Sequence, residues 1–129
     1  MARINSRRAQ TSGRDAEQLA AEWLQQRGLK LIECNYHAPC GEIDLVMRDN
    51  TGWVFVEVRY RNSNRFGGAS SSLTASKLRR LRSTAEHYLQ HRKQTASAAR
   101  IDALLIDGPA VNDASTQINW IKNISCEIH

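Results

Sequence analysis

Residues 41–61, GEIDLVMRDNTGWVFVEVRYR, place two patterned runs on either side of Asp49-Asn50-Thr51-Gly52, and no other stretch constrains the fold as tightly. An Asx- and Gly-containing link of this length closes an antiparallel hairpin. Arg48 then lies opposite Trp53, and the same register carried along the strands sets Asp44 against Glu57 and Glu42 against Arg59. Facing residues of an antiparallel pair project to one side of the sheet. The hairpin therefore presents two carboxylates together, with Cβ atoms about 5 Å apart.

Directly opposed like charges destabilise a sheet unless something compensates them. A cation is the natural compensator. With no His or Cys in the hairpin, the donors are hard oxygens that suit Mg²⁺ or Mn²⁺ better than zinc. An equally available reading has Asp44 and Glu57 paired with Arg59 and Arg61 in ordinary ion pairs, which contribute little when exposed. On the other face Ile43, Leu45 and Met47, with Val54, Val56 and Val58, form an apolar layer for a helix to cover. Val46, Trp53 and Phe55 share the face of the carboxylates.

The chain has 129 residues, 41% hydrophobic and 24% charged, enough for one compact domain and too few for two. Its 18 Lys plus Arg against 13 Asp plus Glu leave a net charge of +5, which favours an anionic partner such as nucleic acid. No apolar run reaches the length of a membrane span and the N-terminus lacks a signal-peptide core, so a cytoplasmic protein with no membrane partner is expected. Three cysteines, Cys34, Cys40 and Cys126, are an odd number in a chain that needs no staples, and reduced thiols follow. Cys34, His37 and Cys40, with Cys126 and His129, match no standard zinc spacing. Neither a Gly-rich phosphate loop nor a Gly-x-Ser-x-Gly elbow is present.

Residues 1–12 read as a mobile basic arm carrying Arg3, Arg7 and Arg8, followed by a single domain over 13–129. Ala16, Leu19, Ala20, Trp23 and Leu24 recur at helical spacing, and Gly28 is a C-terminal stop, giving a helix over 13–27. Its Glu17 lies on the flank of the apolar stripe, where periodicity alone makes it a solvated first-turn acid that complements the helix dipole. A strand over 29–36 feeds the hairpin. Residues 62–72 read as a loop whose Arg65 could reach a phosphate. Ser72 or Thr74 caps a second helix running to about Arg92, with Leu78, Leu81, Ala85, Tyr88 and Leu89 inward and Lys77 among the basic residues around it. Residues 94–99 form a polar link, 100–107 a buried strand, and 117–124 a last strand. The expected order is α-β-β-β-α-β-β, a mixed sheet flanked by helices.

These residues resemble the YraN family of small bacterial proteins, which are similar to the restriction-endonuclease-like fold of archaeal Holliday-junction resolvases. The resemblance covers nearly the whole chain. It rests on Glu17 in the first helix, Gly41-Glu42-Ile43-Asp44-Leu45-Val46, Val54-Phe55-Val56-Glu57-Val58, Phe66-Gly67, and Arg100-Ile101-Asp102. It implies an α/β endonuclease-like fold in which Asp44 and Glu57 bind a divalent metal, Mg²⁺ or Mn²⁺, and Glu17 completes the site. One position departs from the nuclease pattern: Arg59 stands where the signature has Lys. Arginine can stabilise charge on a phosphate but its pKa above about 12 bars it from acting as a base.

The function implied is a metal-dependent nuclease that hydrolyses phosphodiester bonds of DNA, branched DNA included, or of RNA, with DNA ahead of RNA. Asp44, Glu57 and Arg59 would carry catalysis, and Arg59, Arg61, Arg65 and Lys77 would contact the nucleic acid. A non-catalytic nucleic-acid-binding module of the same fold is the alternative, and a protein-binding adaptor the third reading. A junction substrate would favour a homodimer, since two matched cuts need two sites.

Overall fold

A computed structural model describes residues 13–62, 73–110 and 113–124. The basic arm, Phe66-Gly67, Arg65, Cys126 and His129 lie outside the described residues. The elements are α1 (Gly13–Gln25), β1 (Lys30–Ala38), β2 (Gly41–Asp49), β3 (Gly52–Arg61), α2 (Ala75–His91), β4 (Ala99–Asp107) and β5 (Gln117–Ile121). Their order is the one the sequence implies.

Both helices end and begin where local chemistry directs. After α1, the amide of Gly28 bonds to the Gln25 carbonyl at 3.1 Å and that of Leu29 to the Leu24 carbonyl at 3.2 Å, with Gly28 at φ 101°. This is the paired-bond stop that a left-handed glycine makes possible. Thr74 caps α2, its Oγ1 accepting from the Lys77 amide at 3.1 Å.

The five strands form one sheet in sequence order. β1–β2, β2–β3 and β4–β5 pair antiparallel, while β3 and β4, joined through α2, are parallel. A parallel pair needs such a crossover. β3 is buried on both faces along most of its length, as a central strand between two helical layers should be. On one face Ala16, Ala20, Ala21 and Leu24 of α1 pack on Leu45, Met47, Val54, Val56, Leu104 and Ile106. On the other, Leu81, Ala85, Tyr88 and Leu89 of α2 pack on Val46, Trp53, Phe55, Ile101, Ala103 and Leu105. The result is an α/β sandwich of three layers, consistent with a restriction-endonuclease-like fold. Among the described residues no helix is long and apolar enough to cross a membrane.

The β2–β3 register is the expected one, with Arg48 opposite Trp53 and Leu45 opposite Val56. Asp49 closes the turn, its Oδ1 accepting from the Thr51 amide at 2.8 Å and the Gly52 amide at 3.2 Å. Arg100 ties that turn to the next strand. Its guanidinium donates to Asp49 Oδ2 and to Asp102 Oδ1, both at 2.9 Å. Asp102 is fully buried and also accepts from Trp120 Nε1 at 2.9 Å and the Asn123 amide at 2.8 Å. The Arg-Ile-Asp motif is thus a clamp across the hairpin turn, β4 and the end of β5.

Three expectations are corrected. β5 stops at Ile121: Asn123 adopts φ 59°, its amide turns to Asp102, and Ile124 is buried in the α2-side core. Ile43 packs in the α2 layer, not beside Leu45 and Met47. Glu42 pairs with His37 at 3.1 Å across β1–β2, and the β2–β3 ladder ends at Leu45–Val56 before reaching the expected Glu42–Arg59 pair, while Arg59 makes with Glu57, at 2.7 Å, one of the ion pairs of the alternative reading.

Candidate active-site cleft

The β2–β3 ladder ends beside Asp44. Against β1 the register is the same on either side of Asn35 and Asp44, Cys34–Leu45 and Tyr36–Ile43, and it shifts only between Leu31 and Glu33. Asn35 has φ 55°, a left-handed conformation that Asn tolerates better than most residues. Alternation is interrupted there, which accounts for Ile43 and Tyr36 both packing toward α2. Against β3, regular pairing ends at Leu45–Val56, and the Val58 amide instead donates to Asp44 Oδ2 at 2.8 Å. A side chain has replaced a strand carbonyl, and the two strands part.

The parting opens a cleft of about 810 Å³. α1 contributes Ala16 and Glu17, the β1–β2 turn residues 37–42, β2 Asp44, β3 Glu57 to Tyr60, and α2 Lys77, Arg80 and Leu81. The turn can approach α2 because Gly41, at φ 154°, has no side chain: a Cβ there would stand 3.0 Å from Thr84 Oγ1.

Within the cleft the carboxylates form a chain. Burial first, then the negative charge of Glu57, pushes the Asp44 carboxyl up to about 7, while the Val58 amide pulls it down. Glu17 is raised as well, first by burial and then by the charge of Asp44, while the Asn35 side chain opposes that rise. Glu57 is buried and bonded to Arg59 Nη1 at 2.7 Å. The charges of Glu57 and Glu42 thus act on Asp44, that of Asp44 acts on Glu17, and Arg59 is bonded to Glu57, although the regular ladder does not extend to the expected Asp44–Glu57 pair.

Of the residues expected at the site, Glu17, Asp44, Glu57, Arg59 and Lys77 line this one cleft, and Arg61 does not. Arg61 is exposed at the end of β3, opposite Asp107 of β4. Arg80 lines the cleft without having been singled out, though its spacing of one turn from Lys77 puts the two on one side of α2. The left-handed turn of β1 at Asn35 has no signature in the sequence beyond the tolerance of Asn for positive φ.

Glu17, Asp44 and Glu57 fit a hard divalent cation by donor chemistry, being oxygen ligands that line one cleft. They meet pairwise: among the described residues no group of three or more His, Cys, Asp or Glu side chains is already gathered at metal-binding geometry. For the cysteine–histidine set, Cys34 and Cys40 carry exposed thiols and His37 pairs with Glu42.

Comparison with known proteins places this cleft inside a matched region. The profile of "Uncharacterised protein family UPF0102" matches residues 16–106, which include every described cleft residue from Ala16 to Leu81. A UPF0102 protein of Nitrosomonas europaea is 50% identical over 115 residues, 89% of this chain and 93% of the relative. Relatives from Shewanella loihica and Methylococcus capsulatus are 44% and 46% identical, covering 88% and 87% of this chain and 92% and 88% of their own.

Proposed function

The chain belongs to the UPF0102 family, the family its sequence resembles, and we propose that it is a metal-dependent nuclease acting on DNA ahead of RNA. The observation that carries this reading is the end of the β2–β3 ladder at Asp44, whose carboxylate lies with Glu57 and Glu17 in a cleft walled by Arg59, Lys77 and Arg80. Glu17, Asp44 and Glu57 would hold Mg²⁺ or Mn²⁺, which when bound acidifies water and offsets charge at the phosphate. Arg59, Lys77 and Arg80 are placed to hold the phosphates of the strand and to stabilise the charge that develops at the one attacked. Arg59 takes no proton, because a guanidinium is not a base near neutral pH.

A second reading has an observation of its own. Arg59 occupies Glu57 Oε2 at 2.7 Å. A guanidinium seated there competes with a cation for the carboxylate, as a nucleic-acid-binding module without hydrolysis would tolerate. Calorimetric titration with Mn²⁺ separates the two. The nuclease reading expects one site that Asp44→Asn abolishes, together with phosphodiester cleavage requiring both. Absence of Mn²⁺ binding, with nucleic-acid binding intact, supports the module.

A further inference from the structure

On the α1 side of the sheet, away from the carboxylates, two half-buried tryptophans meet. Trp23 of α1 and Trp120 of β5 stand edge to face, with centroids 6.0 Å apart and planes at 84°. Each ring carries an exposed cation: the Arg27 guanidinium lies 3.5 Å from the Trp23 centroid, and Lys122 Nζ lies 4.4 Å from that of Trp120. Trp120 is fixed by its bond to the buried carboxylate of Asp102, and Trp23 by the packing of α1. Aromatic surface beside exposed cations is the composition of sites that take single-stranded nucleic acid, where bases stack and Lys or Arg meets the phosphates.

The patch and the cleft are built on the same layer of the fold. Ala16 and Tyr60 belong to the α1-side core and also line the cleft. Cleft-lining Val58 pairs with Leu104, which pairs with Trp120, so the indole lies two strands away, about 10 Å. Along α1 the rise from Glu17 to Trp23 is about 9 Å.

We infer that Trp23 and Trp120, with Arg27 and Lys122, form a stacking track for single-stranded nucleic acid leading to the carboxylate cleft. The track deepens the nuclease reading and rests on it for the fate of the strand, while binding itself needs no hydrolysis. It gives the substrate an unpaired segment, because bases in a duplex have no open face for an indole.

The test is binding of fluorescein-labelled oligo(dT), and of a duplex of equal length, to the full chain in EDTA. Trp53 is buried beneath α2, so quenching of intrinsic fluorescence by unlabelled oligo(dT) reports on Trp23 and Trp120. Trp23→Ala should weaken oligo(dT) binding about tenfold and leave duplex binding unchanged, and Trp120→Phe, which keeps a ring, should retain most of it. Arg27→Ala and Lys122→Ala, surface changes that spare the fold, should each lower the salt slope of oligo(dT) binding by about 1. Unquenched fluorescence with unchanged affinity in all four variants overturns the proposal, as does an effect confined to self-association in sedimentation. Cleavage that needs Asp44 but not Trp23 overturns the track and keeps the nuclease. Trp23-dependent binding without cleavage keeps the track and overturns the nuclease.

Discussion

Asp44 Oδ2 accepts the amide hydrogen of Val58 at 2.8 Å, a bond between a side chain of β2 and the backbone of β3 where ladder pairing has already ended at Leu45–Val56. The bond satisfies a backbone donor that a parted strand would leave unmade. It also orients the Asp44 carboxylate into the cleft. One residue therefore both opens the site and supplies its central acid.

The raised Asp44 carboxyl makes the cation-free protein less stable as pH rises. At about 7 against an ordinary 3.8, the folded state holds a proton that the unfolded chain has released across that interval. The contribution is present below the lower value and is lost as pH climbs through the upper one. Asp44→Asn stays neutral, so it should be less destabilised than wild type on moving from about pH 5 to about pH 8, by on the order of 2 kcal/mol. Urea unfolding in EDTA measures this, and equal changes in both proteins would contradict it.

Replacing Asp102 with Ala should cost about 3–5 kcal/mol, because it strips Arg100 of one buried partner and leaves Trp120 Nε1 and the Asn123 amide without their acceptor. Chemical denaturation gives the number. A loss below about 1 kcal/mol would mean that the clamp is dispensable.

Gly52 follows the hairpin turn at φ 151°, and a Cβ there would collide with the carbonyl oxygen of Ala98, which accepts the Trp53 amide at 2.9 Å. Both contacts are backbone and cannot swing aside. Gly52→Ala is expected to cost more than about 2 kcal/mol by thermal or urea unfolding.

Arg59→Lys restores the residue type of the nuclease signature. Lysine reaches as a compact point charge and can lose a proton when desolvated. Metal-dependent cleavage should rise about 100-fold, the lower end of what acid–base assistance supplies, and Arg59→Ala should fall below wild type. Single-turnover rates on one substrate decide it; equal rates for Lys and Arg would remove Arg59 from the chemistry.

Much of the layout was legible because it is set by short-range rules. The Asx turn at Asp49 fixed the hairpin register, Gly28 ended α1, Thr74 began α2, and the apolar period placed Leu24 and Tyr88 inward. The carboxylates were found from the register, yet their surroundings were not. Carrying that register past Leu45 assumed an unbroken ladder, and the pairing ends at Leu45–Val56, where the Asp44 side chain takes the Val58 amide. Glu42 consequently meets His37 instead of Arg59. The direction of Ile124 was likewise decided by Asn123, whose amide is captured by a carboxylate far away in sequence. Periodicity carries no record of such capture.

The most direct measurement is cleavage of end-labelled branched, single-stranded and duplex DNA with Mn²⁺ or Mg²⁺, wild type beside Asp44→Asn. Metal-dependent cleavage by the wild type alone, strongest on substrates with an unpaired segment, is the expected result. A wild type that binds these DNAs but cuts none of them in either metal would contradict the nuclease and leave a binding module in its place.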